Sequence, residues 1–165
     1  MPDGRSVAGT AAANLLAAMP HVVAVVRSAE SPLALELAHL GCEILPCENA
    51  DDGMAASLVA GLTRTAEAAG WVIALADMPC VKPATISALI AAIGQGAEIA
   101  VPIHQGLRGN PVAFGRVHLP QLLQLDGDEG ARSLLKRCIV TEVPVDDPGV
   151  QQDVDTPADL KRLTS

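Results

Sequence analysis

The sequence predicts a single α/β domain with helices layered on a mostly parallel sheet, and three observations lead there. Half of the 165 residues are apolar but only 1% are aromatic, with one Trp, one Phe and no Tyr. The core must therefore be built from Ala, Val, Leu and Ile, the residues that fill strands covered by helices on both faces. Short β-branched runs alternate with longer helix-like segments along the chain, and glycine or proline stands at most junctions. A chain of about 150 residues buries roughly 70% of the surface it exposes when unfolded, enough for one core. Residues 1–165 show no repeat, low-complexity tract or linker that would divide them.

In chain order, the pattern predicts a helix over 7–19 with Leu15, Leu16 and Met19 on one face, stopped by Pro20, because proline lacks the donor and clashes with the preceding turn. A buried strand comes next, over 21–26. Ser31 and Pro32 have the form of an N-cap and first-turn proline, opening a helix that runs through Leu40 and is closed by Gly41. A short strand covers 42–45. Asp51 or Asp52 can cap a helix extending to Ala69, closed by Gly70, and 71–76 is an uninterrupted apolar strand of parallel-sheet type. A helix over 83–93 and a strand over 98–103 repeat the pairing. A glycine-rich turn at 105–110 leads to Pro111-Val-Ala-Phe114, then come two helices around 117–124 and 129–138, a strand near 139–145 and a last helix from Pro157. Segments 94–96 and 146–149 read as ordinary turns. Such alternation favours right-handed crossovers between parallel strands.

Composition narrows the function. Eleven Lys and Arg against nineteen Asp and Glu leave a net charge of −8; with neither a basic patch nor stacking aromatics, no nucleic-acid partner is expected. A polyphosphate would need a divalent cation between itself and so acidic a body. Cys42, Cys47, Cys80 and Cys138 form neither a Cys-x-x-Cys pair nor a dense framework, and they read as reduced thiols of a cytoplasmic protein instead of a zinc site. The uncharged stretch 6–26 is long enough to span a bilayer. Gly9, Asn14 and the Pro20-His21 break divide it into helix and strand, and Asp3 beside Arg5 spoils a basic signal-peptide flank, so no membrane association is expected. His21, His39, His104 and His118 lack ligand spacing and read as structural or surface residues.

Five segments can carry chemistry. Asp77 comes directly after 71–76, at the carboxyl edge where open α/β sheets bind ligands; it suits a magnesium ligand or a turn residue capping the next helix, and position alone does not separate these. Asp153 and Asp155 point to one side of an extended segment and can face one cation, unless Asp155 or Thr156 simply caps the helix of Pro157. Asn49-Ala-Asp-Asp-Gly-Met-Ala-Ala-Ser-Leu58 runs into a helix start that can receive an anionic or polar ligand; the plain alternative is a capped helix in which Ala55, Ala56 and Ser57 permit close packing. Gly106-Leu-Arg-Gly-Asn-Pro-Val112 allows close backbone approach with Arg108 available to a phosphate, or is a hairpin-like corner. Asp126-Gly-Asp-Glu-Gly-Ala-Arg132 offers a capped helix start carrying Arg132, or a solvated charge cluster.

Taken in order, segment 49–58, Leu75-Ala-Asp-Met-Pro79, Val101-Pro102 with Gly109-Asn-Pro-Val112, Gly127-Asp-Glu-Gly-Ala-Arg132, and Asp153-Val-Asp-Thr-Pro157 with Asp159-Leu160 resemble the MobA-like nucleotidyltransferase family over nearly the whole chain. The resemblance is closest to its molybdenum cofactor cytidylyltransferase branch. It implies a three-layer α/β/α, Rossmann-like nucleotidyltransferase with a mostly parallel sheet, transferring CMP from CTP to the terminal phosphate of molybdopterin and releasing pyrophosphate. It further implies Mg²⁺ at Asp77, completed by Asp153 or Asp155. Asn49, Gly53 and Ser57 would border the nucleotide or acceptor pocket, and Arg108, Gly109, Asn110 and Arg132 would approach the pterin phosphate. The implied partners are these small molecules and a molybdoenzyme or its maturation chaperone. GTP in place of CTP, another phosphorylated acceptor, or a non-catalytic pterin-binding module are the alternatives.

Family members begin with a strand and a glycine-rich signature of the type Leu-x-x-Gly-x-Ser-x-Arg-Met-Gly, with a Lys shortly after it. Only Met1 to Arg5 precede the first helix here, and segment 2–10 resembles the stretch on the carboxyl side of that signature. The expectation is a shortened chain, with first strand and phosphate loop missing. Loss of one preorganised donor costs about 10² to 10³ in rate, so such a chain is expected to be inactive or feeble, and to self-associate as a homo-oligomer through its exposed sheet edge.

Overall fold

Capping explains where most helices begin and end in the structure, a computed structural model that describes residues 4–50, 53–127 and 131–163. Ser6 caps α1 (Val7–Ala18), accepting from the Gly9 amide at 2.9 Å. Ser31 caps α2 (Pro32–Leu40), and Gly41 closes it with φ 108°, a left-handed conformation that glycine adopts without steric cost. Helix α3 (Met54–Arg64) starts from Gly53; the expected caps Asp51 and Asp52 lie outside the described residues. It ends before Ala69 because the Thr65 hydroxyl donates to the Gly61 carbonyl at 2.8 Å and accepts from the Trp71 indole at 2.9 Å, folding 65–69 into a turn. Helix α4 (Pro83–Gly94) matches its expectation. The helix expected over 117–124 is a 3₁₀ turn, Arg116–His118, running into the single turn α5 (Leu119–Leu122). The one expected from residue 129 is described as α6 (Arg132–Arg137), and α7 (Pro157–Leu163) closes the chain.

Among the described residues, seven strands form two sheets. Strands β1 (Val23–Val26) and β2 (Glu43–Pro46) are a parallel pair. The second sheet has the order β3 (Gly70–Ile73), β6 (Val112–Gly115), β4 (Ile99–His104), β5 (Leu107–Arg108), with β7 (Thr141–Pro144) also paired to β4. Here β4 and β7 are parallel, whereas β3–β6, β6–β4 and β4–β5 are antiparallel. The α/β class stands, but the sheet is mixed where the sequence suggested mostly parallel. Gln105 and Gly106, with φ of 50° and 80°, close a two-residue hairpin. The hairpin reverses the chain, where a helical crossover would have kept strands parallel.

Side chains alternate along each strand and define three layers. On β1, Ala24 and Val26 pack with Ala12, Leu15 and Leu37 of α1 and α2, while Val25 lies against Gly61 of α3, where an added Cβ would stand 3.3 Å from a valine methyl. In the larger sheet, Ile99, Val101, Val112 and the fully buried Phe114 pack with Leu62, Leu122 and Leu134 of α3, α5 and α6. The intervening Ala100 and Ala113 pack with Leu89 of α4. Hence α3, α5 and α6 cover one face and α1, α2 and α4 the other. Leu15 packs both over β1 and against Val72 and Met78, so α1 joins the two sheets. Among the described residues, β1 and β3 each keep one edge without a strand partner, and no helix is long and apolar enough to cross a membrane.

Leu122→Ala empties a fully buried position of this core and should cost about 2–5 kcal/mol, read from urea unfolding by Trp71 fluorescence. At the surface, Glu43 lies 2.8 Å from His21 Nε2 and 2.6 Å from Arg64 Nε. The hydrogen bond with His21 first, then Arg64, hold its carboxyl below the usual range against some desolvation. A folded-state value below the unfolded one stabilises at neutral pH and is lost as pH falls through the lowered value. Glu43→Gln should therefore lower the urea midpoint at pH 7 and converge with wild type once both carboxylate forms are protonated in acid; a gap of constant size would contradict this.

Candidate functional site

After β7 the chain lies as a strap across the carboxyl rim of the sheet, held by backbone hydrogen bonds together with the Asp147 and Gln151 side chains. Val145 N–H donates to the Ile103 carbonyl at 3.0 Å, continuing the β7 pairing. A 3₁₀ turn, Pro148–Gln151, comes next. Asn110 N–H donates to the Val150 carbonyl at 2.8 Å, and the Gln151 amide donates to the His104 and Leu107 carbonyls at 2.9 Å each. Finally Val154 N–H donates to the Asp77 carbonyl at 2.8 Å. Two glycines permit these approaches: a Cβ on Gly109 would run into the Val150 carbonyl, and one on Gly149 into the Cys80 carbonyl.

The strap brings the two acidic corners together. Asp77 lies beyond β3 at the rim; Asp153 and Asp155 flank Val154 and are exposed. Asp77 Oδ1 is buried and has no hydrogen-bond partner among the described residues. A buried carboxylate oxygen without a donor carries an uncompensated desolvation cost, which a cation would offset, so the residues present fit a divalent ion. Among the described residues no group of three or more His, Cys, Asp or Glu forms a metal cage. At most two carboxylates would then bind the ion, leaving positions for water and phosphate as Mg²⁺ prefers.

The alternatives left open by the sequence are decided for two residues. Asp77 does not cap α4: the carboxylate at that helix start is Asp147, accepting from Lys82 N–H at 2.8 Å. Nor does Asp155 cap α7. Thr156 does, its hydroxyl accepting from Asp159 N–H at 3.2 Å while Asp159 Oδ2 accepts from the Thr156 amide at 3.0 Å and hydroxyl at 2.6 Å, a capping box.

The other candidate residues gather nearby in two groups. Gly109 and Asn110 join the rim through Val150. Asn110 also borders a narrow crevice with Ala11, Asn14, Leu15, Leu75 and Met78. In the second group, Ala55 N–H donates to the Gly127 carbonyl at 3.1 Å, so the segment of Asn49, Gly53 and Ser57 meets the loop that leads to Arg132. Asn49 and Arg132 are exposed, Gly53 and Ser57 half-buried; positions 128–130 lie outside the described residues. Arg108 Nε donates to Glu142 Oε1 at 2.8 Å. That pair is exposed, and such pairs contribute about 0–1 kcal/mol, so Arg108 is held only weakly.

Two rim residues escape sequence reasoning. Asn14 donates to the Pro79 carbonyl at 2.9 Å, tying α1 to the loop after Asp77. Asp147, 1% exposed, sits in a segment that reads as an ordinary turn. Its available signal was indirect: Lys82-Pro83 opens α4 without a local capping side chain, so a cap had to come from elsewhere.

Helices on both faces of a mixed sheet, with acidic residues at its carboxyl rim, make a nucleotidyltransferase fold. The chain belongs to the MobA-like NTP transferase domain family, which residues 1–143 match. It is similar to Rv0371c of Mycobacterium tuberculosis in its manganese complex, with a TM-score of 0.83 and 31% identity over 97% of this chain and 87% of that one. Purine catabolism protein PucB of Bacillus subtilis is 33% identical over 116 residues, 67% of this chain; the chain spans 56% of that relative's length. Molybdopterin-guanine dinucleotide biosynthesis protein A of Archaeoglobus fulgidus shares the fold, with a TM-score of 0.62 and 24% identity over 85% of this chain and 75% of that one.

Gly149→Ala tests the strap directly. The added methyl forces backbone apart from backbone, and overpacking of this kind costs about 1–3 kcal/mol, to be read as a lowered thermal midpoint.

Proposed function

We propose that this chain is the catalytic domain of a nucleotidyltransferase that moves CMP from CTP to the terminal phosphate of molybdopterin. One observation carries the reading: Val154 N–H donates to the Asp77 main-chain carbonyl, so the backbone of Asp153 and Asp155 runs beside that of a residue whose carboxylate has a buried oxygen without a partner among the described residues. Asp77 and one of Asp153 or Asp155 would hold Mg²⁺. A divalent ion there supplies charge neutralisation and alignment of the phosphates, which a protein of net charge −8 otherwise repels. Manganese in the mycobacterial relative supports a divalent ion in this family. Asn49, Gly53 and Ser57 would border the nucleotide, and Gly109, Asn110, Arg108 and Arg132 the acceptor phosphate.

The chemistry is an in-line displacement. An acceptor phosphate oxygen attacks the α-phosphorus, the bond to the β-phosphate oxygen breaks, and pyrophosphate leaves with its electron pair. No side chain need form a covalent intermediate, so the residues act through positioning and charge. The product dinucleotide would pass to a molybdoenzyme or its maturation chaperone. GTP is the second reading, favoured by the guanine dinucleotide named for the Archaeoglobus relative.

Calorimetry with CTP and GTP, each with and without Mg²⁺, tests the reading. CTP binding that requires the metal and is lost in Asp77→Asn, with pyrophosphate released only when molybdopterin is added, is the expected result. Tighter binding of GTP would reassign the nucleotide. Pterin binding with no nucleotide binding would overturn the enzyme reading in favour of a carrier module.

A further inference from the structure

The structure assigns to Asp147 the role of a positioning residue: its buried carboxylate clasps the start of α4 and thereby fixes the strap that sets Asp153 and Asp155 beside Asp77. This inference rests on the reading of that rim as a metal site. Asp147 and Thr85 are among the few buried polar side chains of the described residues, and they bond to each other, Thr85 Oγ1 donating to Asp147 Oδ2 at 2.6 Å. The same oxygen accepts from Lys82 N–H at 2.8 Å, and Oδ1 accepts from Gly149 N–H at 3.0 Å. One carboxylate thus caps two elements, α4 and its own 3₁₀ turn. Three donors offset the cost of burying this carboxylate. Alongside, Lys82 Nζ donates to the Asp146 carbonyl at 2.7 Å, a second tie between the same segments.

The consequence runs along the backbone. Asp147 holds Gly149 against Cys80 and Val150 is fully buried against Gly109; Gln152 N–H then donates to the Gly149 carbonyl and Val154 N–H to the Asp77 carbonyl, with the Gln151 side chain tied to His104 and Leu107 between them. The chain from Asp147 to Val154 therefore has one end set by α4 and the other at the acidic rim. Asp147→Asn replaces an acceptor with an NH₂ group facing Lys82 N–H or Gly149 N–H, so one bond turns into a donor–donor conflict. Losing that tie loosens the strap against its remaining anchors at Val150 and Gln151, and with it the placement of Asp153 and Asp155, without touching any proposed ligand.

The test uses the full chain and Mn²⁺ as probe, with affinity measured by electron paramagnetic resonance and strap order by amide hydrogen exchange without metal. Asp147→Asn should weaken Mn²⁺ binding about ten- to a hundredfold and speed exchange at Val154, with the amides of β4 and β6 still protected. Thr85→Val, which keeps the carboxylate, should shift both in the same direction, and Thr85→Ser should restore them. Leu122→Ala serves as the destabilised control, with Mn²⁺ affinity within about twofold of wild type because it shares no partner with the strap. Wild-type affinity and slow Val154 exchange in Asp147→Asn would overturn the proposal, as would an equal loss of affinity in Leu122→Ala. A wild-type chain that takes up no Mn²⁺ would overturn the metal reading of the rim, and Val154 exchange would still decide the clasp separately.

Discussion

The hydrogen bond from the Val154 amide to the Asp77 carbonyl joins a strand end and a helix approach that are distant in sequence, and the chemistry of the rim depends on that junction. Because both partners are main-chain groups, the junction is set by the path of the backbone and by what lets backbones touch. Gly109 and Gly149 do so, each lying where a Cβ would strike a carbonyl. The scaffold of this junction is amides, carbonyls and glycine, with the Asp147 carboxylate and the Gln151 amide as its side-chain ties.

Two aspartates near this rim show how hydrogen bonding separates roles that composition cannot. Asp147 is buried with both oxygens satisfied by three donors; its charge is fully compensated within the protein, which suits a clasp. Asp77 has one buried oxygen without a donor among the described residues, the feature on which its proposed role as a metal ligand rests. In a strongly acidic protein, a cation held there, as proposed, would offset the local negative field toward a polyphosphate.

Small residues make the layers thin. Ala100 and Ala113 face α4 on one side of the sheet, whereas Ile99, Val101 and Phe114 fill the other. The alternation of small and large side chains lets α4 pack close to the strands whose ends form the rim, and the same helix start receives Asp147. Stability of the core and geometry of the site thus share an element.

Local residues were enough to determine the α/β class, the caps Ser6 and Ser31, the closure of α2 by Gly41 and the acidic motifs, because each depends on neighbours within a few positions. Local pattern did not reveal the antiparallel placement of β6, since apolar Val112-Ala-Phe114 reads identically in either direction and the Gln105-Gly106 hairpin decides between them. Nor could it show that Arg108 pairs with Glu142, or that Asp147 caps a helix distant in sequence. Only the tertiary structure showed that the carboxylate at the start of α4 is Asp147 and not Asp77. A cap is recognised by the amide it receives, and which amide lies within reach depends on how the whole chain is folded.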